Sequence, residues 1–204
     1  MPRTIPSPGR TQPAELAPNR KRWTRQDCAF LVESGLLNER YELIDGDVIS
    51  KMGQKPTHAY VVKALFSCMI RLFGEEFVRC QMPIEVAEVD PEINQPEPDA
   101  AVTSQSYQKY TDRHPGPDDV LLVVEVADST LGYDLRNKAS LYARSGFREY
   151  WVIDVVGRRV IAHRRPEATG YRSVVEFLET ETIAPSALPA VGALVGDLLP
   201  PIQA

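Results

Sequence analysis

Three charged residues stand at positions where the surrounding sequence predicts burial. Asp99 opens a short apolar run, and Glu125 lies inside the aliphatic run 121–127, which is long enough for a strand covered on both faces. Lys138 falls on the apolar side of a predicted helix when the 3.6-residue period is followed. Such charges form either a buried ion-pair network or a functional site. Three inward-facing charges so close along the chain favour the site.

Two carboxylates beside a lysine suit a hard divalent cation. Mg²⁺ and Mn²⁺ prefer carboxylate and water ligands, and they bridge to phosphate oxygens. Such an ion at Asp99 and Glu125 would activate a water molecule and offset the charge on a phosphodiester in the transition state. Lys138 would hold this water, deprotonate it, or stabilise the developing negative charge. The spacing does not choose among these three roles.

No other pattern in the sequence supports a competing chemistry. There is no glycine-rich phosphate loop and no Gly-x-Ser-x-Gly nucleophile motif. His58, His114 and His163 are widely separated, which argues against a histidine zinc site. We interpret His58 as an ordinary polar residue in the first turn of a helix.

Composition and charge narrow the class of protein. The 204 residues include 23 basic and 28 acidic side chains, a net charge of −5, which is unlike the broad basic surface of a nonspecific nucleic-acid binder. The cysteines lack ligand spacing, and Cys28 and Cys68 fall in apolar helical patterns, so we interpret them as core residues. No secretory signal and no apolar run of about 18 residues is present, so we predict a cytoplasmic protein without a membrane segment.

Helices and strands around the charged residues are predicted from local signals. Thr24 starts a first helix, Asp45-Gly46 forms a hairpin turn, and a largely buried helix spans residues 58–73. Short strands are expected over residues 77–82, 99–102, 160–163 and 171–178. A strand over 120–127, a helix from the cap Asp134 to the stop Gly146, and a strand over 149–154 predict a right-handed βαβ unit.

Several of these segments together resemble the Uma2 family, also called DUF820. The matching motifs are Arg40–Gly46, Pro98-Asp99, Val123–Val126, Ser129-Thr130, Tyr133-Asp134, Lys138, Leu141–Ala143, Gly146 and Glu149–Trp151. The family is grouped with the PD-(D/E)xK, restriction-endonuclease-like nucleases. The resemblance therefore implies an α/β (α+β) fold with a central mixed sheet flanked by helices. It also implies that Asp99 and Glu125 are metal ligands and that Glu42 is a further site residue.

One position departs from the signature of that superfamily. The lysine expected two residues after Glu125 is replaced by Ala127, and Lys138 on the following helix is the natural substitute. Glu97 is a weaker acidic candidate for the same site.

These observations predict a metal-dependent endonuclease that hydrolyses phosphodiester bonds, with DNA as the expected substrate and Mg²⁺ or Mn²⁺ as cofactor. A homodimer is expected from the resemblance and from aromatic residues near Tyr150 and Trp151, which we interpret as exposed. Two alternatives stay open. One is a non-catalytic interaction module that keeps the fold, which the acidic net charge favours. The other is a phosphodiesterase that acts on RNA or small nucleotides.

Domain boundaries follow from composition. Residues 22–182 are predicted to form the restriction-endonuclease-like domain. Residues 1–21 are rich in proline and polar residues and predict a flexible arm. Residues 183–204, rich in small residues and proline, predict a loosely packed extension.

Overall fold

One large sheet separates two hydrophobic clusters in the computed structural model, which describes residues 3–4, 21–51, 53, 55–86 and 90–202. The helices are α1 (Arg25–Glu33), α2 (Pro56–Phe73), α3 (Leu131–Tyr133) and α4 (Ala139–Arg144). The strands are β1 (Arg3–Thr4), β2 (Tyr41–Ile44), β3 (Asp47–Ser50), β4 (Val78–Cys80), β5 (Ala100–Thr103), β6 (Val120–Ala127), β7 (Glu149–Asp154), β8 (Arg159–Glu167), β9 (Gly170–Leu178), β10 (Thr182–Ile183) and β11 (Ala193–Leu194). The first cluster lies under α2, and the second lies under α4.

The main sheet has the strand order β1-β9-β8-β7-β6-β5-β4. β6 and β7 run parallel, and the helical segment between them completes the predicted βαβ unit. β4, β5, β8 and β9 pair antiparallel with their neighbours. The expected mixed sheet flanked by helices is therefore confirmed, and the β2–β3 hairpin lies outside it.

The hairpin forms where the sequence predicted it. Asp45 and Gly46 have positive φ angles of 51° and 78°, which a tight two-residue turn requires and which these residue types tolerate. The turn sets the register that pairs Glu42 with Ile49. Glu42 is only 2% exposed, so it faces the interior and not the solvent.

α2 begins at Pro56, two residues before the predicted start. Proline suits the first helical position because its missing N–H would have no partner within the helix. Gly74, with φ 93°, ends the helix as predicted. Cys28 and Cys68 are buried, which confirms their interpretation as core residues. None of the helices in the described part of the chain combines the length and apolarity that a membrane span requires.

The helical segment after β6 starts earlier than the sequence pattern predicted. α3 begins at Leu131, so Asp134 is not an N-cap residue. It opens a π-helical turn over Asp134–Lys138, which joins α3 to α4. Both end residues of this turn are buried. Single π-turns inside helices are frequent at functional sites.

For one residue of β6, Leu121, the sequence pattern predicts the wrong face of the sheet. Strict alternation predicts that Leu121 shares a face with Val123 and Glu125. A register shift between Val102 and Thr103 interrupts the alternation at this end of the strand. Leu121 therefore packs on the first cluster, whereas Val123 packs in the second.

Tyr150 and Trp151 do not form an exposed surface. Both side chains are fully buried, Tyr150 in the second cluster and Trp151 in the first. β7 lies inside the sheet and is covered on both faces, which leaves no room for an aromatic contact with another protomer. The prediction of a homodimer relied partly on exposed aromatic side chains here, and these two side chains offer no exposed surface.

The chain after β9 packs on the core. Ile183, Val195, Leu198 and Leu199 are buried in the first cluster, so the expectation of loose packing is wrong for these residues. The predicted N-terminal arm lies outside the described residues, apart from residue 21 and the backbone of β1, which pairs with β9.

Candidate active site

The predicted site residues meet in one cavity of about 450 Å³. Its walls come from the β2–β3 hairpin, the start of α2, the ends of β5 and β6, and the π-helical turn. Glu42, Asp99, Glu125 and Lys138 all line it. Four residues from four separate elements thus share one cavity.

Lys138 contacts the carboxylates directly. Its Nζ donates to Glu125 Oε1 at 2.9 Å and lies 2.8 Å from Glu42 Oε2 and 3.9 Å from Asp134 Oδ1. The inward position predicted for this lysine is confirmed. Burial alone would lower the pKa of Lys138, but the three carboxylates raise it well above its usual value. A lysine held in the charged form cannot accept a proton from water, so its remaining roles are electrostatic.

Glu125 is the carboxyl group most affected by its surroundings. Its pKa is raised to about 8, first by burial and further by three neighbouring carboxylates, while Lys138 acts in the opposite direction. Tyr142 Oη also donates to Oε1, at 2.9 Å. Lys138 and Tyr142 thus hold the same oxygen, and Oε2 takes part in neither of these two bonds.

Asp99 is held in its ionised form. Burial acts to raise its pKa, but contact with His58 and hydrogen bonds from Val126 and Gln81 lower the pKa below its usual value. Val126 N–H donates to Oδ2 at 2.9 Å, Gln81 Nε2 donates to Oδ1 at 3.1 Å, and His58 Nε2 lies 3.4 Å from Oδ1. Because Val126 follows Glu125 directly in β6, the first of these bonds ties Asp99 to the strand that carries the second carboxylate.

Three residues that contact acidic groups of the site were not found by sequence reasoning: His58, Gln81 and Lys51. His58 and Gln81 contact Asp99, although we interpreted His58 as an ordinary polar residue of the first helical turn. Lys51 Nζ lies 3.1 Å from Glu42 Oε1 and 3.0 Å from Glu97 Oε1. Glu97, the weaker acidic candidate, therefore reaches the site through Lys51. The only sequence signal was the position of His58 on the sheet-facing side of an apolar helix.

The donors in the cavity fit a single Mg²⁺ or Mn²⁺ ion. Within the described residues, no three His, Cys, Asp or Glu side chains are grouped as a set of metal ligands. Mg²⁺ is usually bound through one or two carboxylates, water molecules and substrate phosphates, so it does not need such a set. Among the residues that line the cavity, five carboxylates outnumber four basic side chains: Glu42, Asp99, Glu125, Asp128 and Asp134 against Arg40, Lys51, Lys55 and Lys138. A divalent cation would offset this surplus of negative charge.

The mixed sheet, with Asp99 just before β5, Glu125 in β6 and Lys138 beside them, defines a protein of the restriction-endonuclease-like class. A family model, Uma2, described as "Putative restriction endonuclease", matches residues 36–196, and the chain belongs to this family.

One solved structure supports the fold. The chain is similar to the crystal structure of "a putative nuclease belonging to DUF820" from Anabaena variabilis, with 16% sequence identity and a TM-score of 0.58. The match covers 82% of this chain and 96% of that one. At this identity the likeness shows the fold alone. A comparison with curated proteins gives no match.

Glu125 should make the stability of the metal-free protein depend on pH. Its carboxyl group binds a proton more tightly in the folded protein, with a pKa of about 8, than in the unfolded chain, where the value is 4.5. The free energy of unfolding should therefore fall as the pH rises from the unfolded to the folded pKa, by up to about 1.4 kcal/mol per pH unit. Urea unfolding with EDTA, over about pH 5 to 8, measures this slope. Glu125→Gln cannot titrate and should lack it, so equal slopes in the two proteins would contradict the expectation.

Proposed function

We propose that the protein is a divalent-metal-dependent endonuclease that hydrolyses phosphodiester bonds in DNA. The observation that carries the proposal is that Asp99 and Glu125 line one cavity and that Asp99 accepts a hydrogen bond from the backbone of Val126, the residue after Glu125. Membership in the Uma2 family supports the same reaction class. A homodimer, which would place two such sites along one duplex, stays a prediction.

Asp99 and Glu125 would hold Mg²⁺ or Mn²⁺, which when bound supplies an activated water and neutralises charge on the phosphate. Asp99 offers an ionised carboxylate whose orientation is fixed by Val126 N–H and Gln81. Lys138 fixes Glu125 through Oε1 and places a permanent positive charge beside the reaction. Hydrogen bonds of this kind, from neighbouring residues to the ligands, commonly fix the orientation of metal ligands in proteins.

A second candidate function is hydrolysis of phosphodiester bonds in RNA or small nucleotides. The cavity of about 450 Å³ lies in the range of pockets that hold one small ligand. The net charge of −5 also provides no broad attraction for a long polyanion. A substrate with one or a few phosphates would fit both observations.

The test is a cleavage assay on four substrates: plasmid DNA, single-stranded DNA, RNA and a small chromogenic phosphodiester. We expect the wild-type protein to nick plasmid DNA with Mg²⁺ or Mn²⁺ and to be inactive with EDTA, because the carboxylates alone supply no activated water. Glu75→Gln changes an exposed carboxylate outside the cavity and is the matched control. Cleavage that persists in EDTA would refute the metal requirement. Cleavage of RNA or of the small phosphodiester alone would favour the second candidate.

A further inference from the structure

Three carboxylates from three separate elements converge on Lys138. Glu42 lies on β2, Glu125 on β6 and Asp134 on the π-helical turn, and their side chains are 2%, 5% and 4% exposed. The oxygens nearest to Nζ lie at 2.8, 2.9 and 3.9 Å. Carboxylates that approach one point from different elements are also the means by which proteins bind hard cations. The ammonium group thus stands where such a cation would be coordinated.

We propose that Lys138 is a built-in cation that takes the place of a second divalent metal ion. In this role it positions Glu125 and Glu42 and does not act on the attacking water. The inference deepens the proposed function and depends on it for the first metal ion, at Asp99 and Glu125. Lys138 itself is 8% exposed, and both of its contacts shorter than 3 Å are with carboxylates. Two of its three N–H donors therefore have carboxylate partners, and Asp134 lies further away, at 3.9 Å.

The electrostatic balance around Lys138 supports a cation of higher charge at this point. One positive charge on Nζ faces the three carboxylates. Lys51 lies 3.1 Å from Glu42 Oε1 as an ion pair. That buried oxygen nevertheless accepts no hydrogen bond from any residue in the described part of the chain. A buried carboxylate oxygen without a hydrogen bond is costly. This oxygen faces Lys51, whereas Oε2 of the same carboxylate faces Lys138, so Glu42 lies between the two lysines.

Two substitutions of Lys138 separate the loss of its positive charge from the loss of its side-chain volume. Lys138→Ala removes the charge and vacates the volume of the side chain beyond Cβ, which leaves room for an ion and its water ligands. Mg²⁺ binds oxygen at about 2.0–2.1 Å, so Glu42 and Glu125 would need to move inward by less than about 1 Å, and Asp134 by about 1.8 Å. Lys138→Met removes the same charge but keeps most of the volume filled with apolar atoms. Only the alanine variant should accept a metal ion.

The experiment counts bound Mn²⁺ ions by electron paramagnetic resonance titration. It compares the wild-type protein, Lys138→Ala and Lys138→Met, each with Asp99 intact and with Asp99→Asn. We expect Lys138→Ala to bind one ion more than the wild type and Lys138→Met to bind no additional ion. Asp99→Asn should remove the first ion and leave the added one. The double variant Glu42→Gln/Lys138→Ala should lose the added ion because one of its ligands is gone.

Melting temperature gives a second measurement. Mn²⁺ at about 100 times its Kd should raise the melting temperature of Lys138→Ala/Asp99→Asn by about 5–10 °C and leave Lys138→Met/Asp99→Asn unchanged. A Lys138→Ala protein that folds only with Mn²⁺ supports the inference, whereas one that fails to fold even with Mn²⁺ overturns it.

The outcomes distinguish this inference from the proposed function. If Lys138→Ala and the wild type bind the same single ion, the inference fails and the metal site at Asp99 stands. If the wild type binds no ion but Lys138→Ala binds one, the metal site at Asp99 fails and the inference stands. An equal gain in Lys138→Met would place the added ion elsewhere and overturn the inference.

Discussion

Lys138→Met is expected to lower the free energy of unfolding by about 3–5 kcal/mol in metal-free buffer, because it leaves buried carboxylates without their cation. For a domain of this size, the loss corresponds to a fall of about 6–20 °C in melting temperature. Methionine keeps most of the packing volume, so the loss reports mainly the missing charge. Thermal and urea unfolding with EDTA measure it. The loss should shrink at low pH, because protonated Glu125 no longer needs a counter-charge.

Two controls test the electrostatic reason for this loss. Lys55→Met removes a lysine that is 67% exposed and pairs with Asp128, and it should cost less than about 1 kcal/mol. Adding Glu42→Gln to Lys138→Met should recover part of the stability, because one buried charge is removed with its partner. If both lysine variants lose the same stability, the buried cluster does not have the energetic role described here.

The central pair and its lysine could be predicted from sequence because each breaks a local pattern. Asp99 and Glu125 interrupt apolar runs, and Lys138 interrupts an apolar helix face. In an otherwise hydrophobic stretch, burial of such a residue follows from its neighbours along the chain. The hairpin at Asp45-Gly46 was predictable for the same reason, since its turn depends on the two residues themselves.

The errors arose where neighbours along the chain do not decide the structure. The side chain of Asp134 would suit an N-cap position. The helical segment, however, begins three residues earlier, at Leu131, and the π-helical turn places Asp134 in the site. Leu121 changes faces because of a register shift in the pairing with β5. The site roles of His58 and Lys51 depend on contacts with Asp99 and Glu42, which lie on other elements. Apart from the position of His58 on the apolar side of α2, none of these features has a local sequence signal.

The surroundings of the two carboxyl groups shift their pKa values in opposite directions. The pKa of Glu125 is raised first by burial and then by neighbouring carboxylates, among which Glu42 has a larger effect than Asp99. The pKa of Asp99 is lowered despite burial, because His58 and the hydrogen-bond donors Val126 and Gln81 favour the charged form. Removal of Asp99 would leave the buried Val126 N–H without its acceptor, at a cost of about 1–3 kcal/mol. Asp99→Ala should therefore be less stable than the wild type without metal, although relief of repulsion alone would predict the opposite.

Asp99→Asn is expected to reduce metal-dependent cleavage by about 10³-fold or more, because it removes the ionised ligand from the site. Asparagine keeps an oxygen that can accept the Val126 hydrogen bond, so the fold should be retained. Mg²⁺ or Mn²⁺ at about 100 times its Kd should stabilise the wild type by about 2.7 kcal/mol, and this gain should disappear in Asp99→Asn and Glu125→Ala. Thermal melting of the three proteins, with EDTA and with metal, runs beside the plasmid-nicking assay.

The two readouts together decide what the cavity does, since metal binding and cleavage need not occur together. If the metal shifts all three melting curves equally, the ion binds elsewhere and the assignment of Asp99 and Glu125 is wrong. If it shifts only the wild type and plasmid DNA is cut, the ligands and the reaction are both supported. If the metal shifts only the melting curve of the wild type but neither DNA nor RNA is cut, the metal site is supported and the endonuclease proposal is refuted. Hydrolysis of small nucleotides then becomes the leading function, because the buried carboxylates would still hold the ion that such a reaction requires.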